Sequence, residues 1–137
     1  MKWYFASRMR HKEKIQSITK QLKMQGEEIV FDWSELDVQK PYVENASQCL
    51  HIAHSIVSAL KDVDVFVLIS DVGGTDMFIE LGVVIGEWMR NNNIRIYVVG
   101  EHNSRSLMHF HLGIIQVDDL QEVFEKESVA IENLPKF

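Results

Sequence analysis

The stretch that decides the fold runs from Asp64 to Arg90, DVFVLISDVGGTDMFIELGVVIGEWMR. Val65 to Ser70, read as β3, is an unbroken run of apolar or small residues, the pattern of a strand buried on both faces. A Gly73-Gly74 turn follows, and then a helix carrying Glu80 among apolar neighbours. Strand, turn and helix make half of a parallel α/β unit, in which sites form at the carboxyl ends of strands. Glu80 falls within about a turn and a half of the expected helix start, so its side chain leans back toward that edge. Phe78, Ile79, Leu81 and Val83 are apolar, and Gly82 and Gly86 are expected to let the helix approach another element closely.

Working outward, Trp3 to Ala6 reads as β1, followed by the polar Ser7-Arg8-Met9-Arg10 and a helix over about His11 to Gln25. Ile15, Ile18 and Leu22 give that helix one apolar stripe, and Gly26 closes it. Ile29 to Trp33 reads as β2 and Ser34 to Tyr42 as a loop. A helix from about Glu44 to Lys61 is expected to turn Leu50, Ala53, Val57 and Leu60 inward. After the Gly-Gly helix, which ends at Asn91, Ile94 to Val99 is β4 and Glu101 to His111 a polar, histidine-rich segment. Ile114 to Val117 is β5, and Asp118 to Lys126 the last helix, capped by Asp118 or Asp119. One domain over 1–137 is expected, with a tail from about residue 128 that packs only partly.

Strands alternating with helices imply a right-handed, doubly wound parallel sheet. With five strands the expected order is 2-1-3-4-5, in which β1 and β3 are neighbours and the winding reverses between them. The Ser7–Arg10 and Asp71–Asp76 loops then face one crevice, beside Glu80.

The net charge of −6 argues against a nucleic-acid polymer, which needs a surplus of Lys and Arg to neutralise phosphates. A small anionic ligand needs only a local cluster of donors. The one cysteine, Cys49, excludes an internal disulfide and a multi-cysteine metal site, and reads as an inert buried thiol. No apolar run reaches the ~20 residues that span a bilayer. The N-terminal segment reads directly as a strand, so the expected location is cytoplasmic, with no membrane partner.

Each candidate has a plainer alternative. Glu80 is either a surface glutamate or a functional carboxylate that the helix dipole helps keep ionised, by roughly 0.3–1 kcal/mol; such a group suits attack on an electrophilic carbon such as a sugar C1′. Gly73-Gly74-Thr75 is either a turn with an N-cap or a set of backbone N–H groups close to a sugar or phosphate; it matches neither the Walker pattern nor the dinucleotide glycine pattern. Ser7, Arg8 and Arg10 are either a solvated helix start or donors for an anionic group. Tyr4 lies in a strand, where tyrosine usually packs. His109-Phe110-His111 has no third ligand at metal spacing and reads as structural or interfacial. That segment and Trp88 offer more apolar surface than a monomer should expose, so a homodimer or larger is expected.

Several stretches together resemble the nucleoside 2-deoxyribosyltransferase family, which includes the 2′-deoxynucleoside 5′-monophosphate N-hydrolases. They are Tyr4-Phe5-Ala6-Ser7-Arg8, Asp32-Trp33, the Asp64-Val-Phe-Val-Leu strand, Gly73-Gly-Thr-Asp-Met-Phe-Ile-Glu-Leu-Gly82 and Val99-Gly-Glu-His-Asn103. They run in consistent order from Lys2 to about Glu125, and the Glu-Leu-Gly after a glycine turn is the most specific. The resemblance implies a flavodoxin-like (Rossmann-like) fold and cleavage of the bond between a deoxyribose C1′ and a nucleobase, without cofactor or metal. It maps the nucleophile onto Glu80 and its companion tyrosine onto Tyr4. Ser7 and the following arginine match the loop that holds a 5′-hydroxyl or phosphate. Ser106 and Met108 fall in the segment that, in the family, completes a neighbouring subunit's site.

Two positions depart from the family pattern. The aspartate usual on the helix before β3 is Val57 here, with His54 or Asp71 as its conceivable substitutes. The Asp or Ser six residues before the glutamate is Gly74, beside Thr75 and Asp76. The expected function is therefore cleavage of the N-glycosidic bond of a (deoxy)nucleoside or its 5′-monophosphate, by hydrolysis or base exchange. Glu80 and Tyr4 would be catalytic. Ser7, Arg8, Arg10, Trp33, Asp71, Gly73, Gly74, Thr75, Asp76, Ser106 and Met108 would bind substrate. The alternative is a non-catalytic nucleotide-binding or sensing module on the same fold. A more distant third reading is cleavage of NAD, which nicotinamide release would reveal.

Overall fold

In the computed structural model, which describes residues 1–137, a five-stranded sheet runs in the order β2-β1-β3-β4-β5. All its pairings are parallel. The strands are β1 (Lys2–Ala6), β2 (Glu28–Ile29), β3 (Val65–Ile69), β4 (Arg95–Val99) and β5 (Ile114–Val117). The register places Tyr4 beside Phe66, Phe66 beside Ile96 and Ile96 beside Ile114. The four helices are α1 (Lys12–Met24), α2 (Ala46–Leu60), α3 (Asp76–Arg90) and α4 (Leu120–Glu127). This is the doubly wound, flavodoxin-like order, and it brings the ends of β1 and β3 together.

Every residue of β3 is buried, as its unbroken apolar run requires. Alternation along β1 separates the two faces of the sheet. Trp3 stacks on Phe5 and packs on Phe124 of α4, whereas Tyr4 stacks on Phe66 with ring centroids 5.7 Å apart and looks toward α3. The chain after α4 packs along α1, where Gln21 and Gln25 amides donate to the Glu132 and Ala130 carbonyls. Asp119 caps α4 by accepting from Glu122 N.

Four local expectations need correction. β2 covers only Glu28–Ile29, because the Asp32 carboxylate accepts from Ser34 N and winds Trp33–Glu35 into a 3₁₀ turn. The stripe on α2 is exposed except for Leu60: Leu50 is 72% and Val57 41% accessible. Its helical spacing is real, but Ala53 and Val57 border an open crevice rather than the core. Cys49 is accordingly half-buried, not sealed. Gly82 and Gly86 meet open space on the outer side of α3 and make no close approach. The close approach lies at Gly113, where a Cβ would sit 2.6 Å from the Trp88 ring. Trp88, which also meets His111 edge-on, is thus half-covered by its own chain.

Candidate active site

At the carboxyl edge of the sheet a cavity of about 980 Å³ opens between the β1 loop, α2 and the start of α3. Ser7, Arg8, Arg10, Trp33, Gly74, Thr75, Asp76 and Glu80 all line it, so most of the residues singled out in the sequence converge on one space. Such a volume lies at the upper end of small-ligand pockets.

Asp71 is the anchor of the polar end. Its carboxylate, 3% exposed, accepts from Arg10 Nη2 at 2.6 Å and from Arg8 Nη1 at 3.4 Å. The Gly73 N–H donates to it at 3.3 Å, and His11 Nε2 lies 3.4 Å away. Burial alone would raise the Asp71 pKa, but the Gly73 N–H, His11 and the two guanidinium groups hold it at about 2. Burial pushes the His11 imidazole below its usual value, so at neutral pH its contact with Asp71 is that of a neutral ring. Asp71 itself does not reach the cavity wall; it sets the arginines that do. Its peptide oxygen accepts from Arg105 Nη1 at 2.8 Å, and Ser70 Oγ donates to the His102 carbonyl. The loop after β4 is thereby tied to the same edge.

The Gly-Gly turn fits closely over Arg8. Gly74 has φ +100°, and a Cβ there would lie 2.7 Å from Met77 Cε and 3.2 Å from Arg8 Cγ. The Thr75 side chain makes no capping bond to α3, so of the two readings of this turn the N-cap is not realised. Trp33 sits on the cavity floor, 8% exposed, with Nε1 donating to the Phe5 carbonyl at 2.6 Å.

Glu80 is half-buried in the cavity wall. Desolvation dominates its ionisation: burial and the nearby Asp76 charge outweigh the Tyr4 contact and lift its pKa from the ordinary 4.5 to about 8. The helix-dipole expectation is therefore reversed. A dipole worth about 1 kcal/mol moves a pKa by less than one unit, too little to offset the loss of water around the carboxyl. The Tyr4 hydroxyl is fully buried and close enough for each group to perturb the other. It nevertheless has no partner at regular hydrogen-bond geometry, so its donor is unspent.

Ser106 and Met108 stand apart from this cavity. Ser106 accepts from Met108 N and starts the 3₁₀ turn Leu107–Phe110. Around them Leu107, Phe110 and Leu112 are 86%, 66% and 88% exposed. His109 is buried there, with Nδ1 3.0 Å from the Asn103 carbonyl, and His111 Nδ1 accepts from Gly113 N at 3.0 Å. His54 is exposed on α2 and does not line the cavity, whereas Val57 does. Lys40 and Tyr42, which no sequence signal singled out, also line it.

No protein-family model matches this sequence, and no curated protein matches it. Among solved structures the chain is similar to the CMP N-glycosidase BcmB of Clostridium botulinum. The two share 17% identity with a TM-score of 0.57, over 94% of this chain and 100% of that one. At that identity the likeness shows a common fold.

Proposed function

We propose that this chain cleaves the N-glycosidic bond of a (deoxy)nucleoside or its 5′-monophosphate, with Glu80 as nucleophile, by hydrolysis or base exchange. The observation that carries the reading is a desolvated carboxyl beside an unspent tyrosine hydroxyl, in one cavity with two arginines set by a buried aspartate. The solved neighbour named for this reaction class supports it.

Arg8, Arg10, Ser7 and the Gly73–Gly74 turn take the sugar's 5′ end, and Trp33 lies against the base. Glu80 forms a C1′–O bond as the C1′–N bond breaks, with Tyr4 holding the carboxyl in line. Water, or a second base, then takes the sugar from Glu80. A carboxyl with a raised pKa is a stronger base once ionised. The positive charge that builds on C1′ in the transition state favours that ionised form. Base release from a panel of nucleosides and 5′-monophosphates, lost in Glu80→Ala, tests the assignment; undiminished release in the variant refutes it.

The apolar α2 wall, with Val57 where an acid would help the base leave, favours a second reading: a nucleotide-binding module without turnover. Calorimetric binding with no base release on long incubation would select it. A second copy is proposed to cover the Leu107–Leu112 surface, which gives Ser106 and Met108 their expected role across the interface. No helix is long and apolar enough to cross a membrane, and the proposed setting is the cytoplasm.

A further inference from the structure

Breaking a glycosidic bond leaves the bonding electron pair on the departing base, and a nucleophile on the sugar does nothing for that charge. In this cavity both carboxyls, Asp76 and Glu80, belong to α3. Asp76 opens that helix two residues after Gly74, which packs on Arg8, and so stands at the end that takes the 5′ group. The wall supplied by α2 consists of Ile52, Ala53, Ile56, Val57 and the Cys49 thiol, with no side-chain oxygen or nitrogen. The Trp33 Nε1 is already committed to the Phe5 carbonyl.

Lys40 and Tyr42 are the exceptions, and of the two Lys40 carries the charge. Lys40 reaches the cavity from the loop between the Trp33–Glu35 turn and α2. Lys2 and Lys23 are spent on carboxylates, but Lys40 takes part in none of the chain's ion pairs. Its ammonium lies 5.5 Å from the centre of the Tyr42 ring, which also lines the cavity. A cation held on an aromatic face keeps its N–H donors free for a ligand. We propose that Lys40 is the leaving-group residue of this site, a role that rests on the N-glycosidic reading of Glu80.

In the first step a Glu80 oxygen bonds to C1′, the C1′–N pair goes to the base, and the Lys40 ammonium passes one proton to that base. In the second, water attacks C1′ from the face the base has left. Its proton returns to the Lys40 amine while the ester bond to Glu80 breaks. Charge and protons balance without a further reactant, and the cation supplies the proton donor that the α2 wall lacks.

The test is base release from ring-substituted analogues of the best 5′-monophosphate substrate, chosen so that the leaving bases span a range of acidity. Lys40→Met should cut the rate on the poorest leaving group by about 100-fold, the usual worth of a positioned proton donor. The loss should shrink toward none on the most acidic base, and Lys40→Arg should recover part of it. Lys40 is exposed, so the unfolding midpoint should not move. An equal loss across the series, or no loss at all, overturns the role of Lys40 while Glu80 stands. Absence of base release by the wild type from every substrate overturns the Glu80 reading and the Lys40 role with it.

Discussion

Tyr4 in the middle of β1 and Glu80 on α3 meet across the sheet–helix boundary. The phenol is wholly buried and without a regular partner, and the carboxyl is pushed up to about 8. In the proposed reaction Glu80 must be ionised to attack, yet its surroundings hold it protonated, which ties that reaction to pH. For the free enzyme, kcat/KM for base release should rise with pH through about 8 and level off above it. Tyr4→Phe removes a donor to the ionised form and should move that rise to higher pH. A profile already flat between pH 5 and 9 would contradict it.

The same group makes a stability prediction of definite sign. The folded protein keeps the Glu80 proton between 4.5 and about 8, whereas the unfolded chain gives it up. The contribution is therefore complete below pH 4.5 and is lost as pH rises through 8. Glu80→Gln, which carries no charge, should match the wild-type Tm at pH 5 and exceed it at pH 9. Calorimetry at the two pH values checks this.

Asp71 works in the opposite sense. Its pKa of about 2 lies below the ordinary 3.8, so its contribution is present above 3.8 and disappears as pH falls through 2. Asp71→Asn should cost about 2 kcal/mol at pH 7, the scale of hydrogen bonds to a charged group, and nothing near pH 1.5. It should also raise KM for a 5′-monophosphate several-fold while sparing the unphosphorylated nucleoside, because it frees Arg8 and Arg10.

Gly74→Ala places a side chain in a left-handed conformation and against Met77 and Arg8. A loss of about 1–2 kcal/mol is expected from the backbone alone. Denaturant unfolding measures it, and the displaced Arg8 should register as weaker monophosphate binding.

The Leu107–Leu112 surface should join two copies. Light scattering should give at least twice the 15.9 kDa chain mass, and Phe110→Glu should return it toward one. Wild type at the single-chain mass at working concentration would remove both the dimer and the role assigned to Ser106 and Met108.

The sheet order could be read from the chain because β1, β3 and β4 are short apolar runs between turn signals, and chirality leaves few ways to connect them. Convergence of Ser7, Arg8, Gly74 and Glu80 followed from that order. What escaped depended on what each element faces. The α2 stripe has the spacing of a core helix, yet Val57 and Ala53 wall a crevice. Phe31 to Trp33 is apolar enough for a strand, but Asp32 winds it into a turn. The proton on Glu80 depends on desolvation by residues distant in sequence. Lys40 lies in a loop without periodicity, so no pattern singled it out.

Trp33 has a practical consequence. Its indole lies on the cavity floor and is fixed to the Phe5 carbonyl, while Trp3 is sealed in the core and Trp88 packs on Gly113. Ligand entry should alter the surroundings of one tryptophan only, so quenching titrations can follow occupancy without a label, even in variants that no longer turn over.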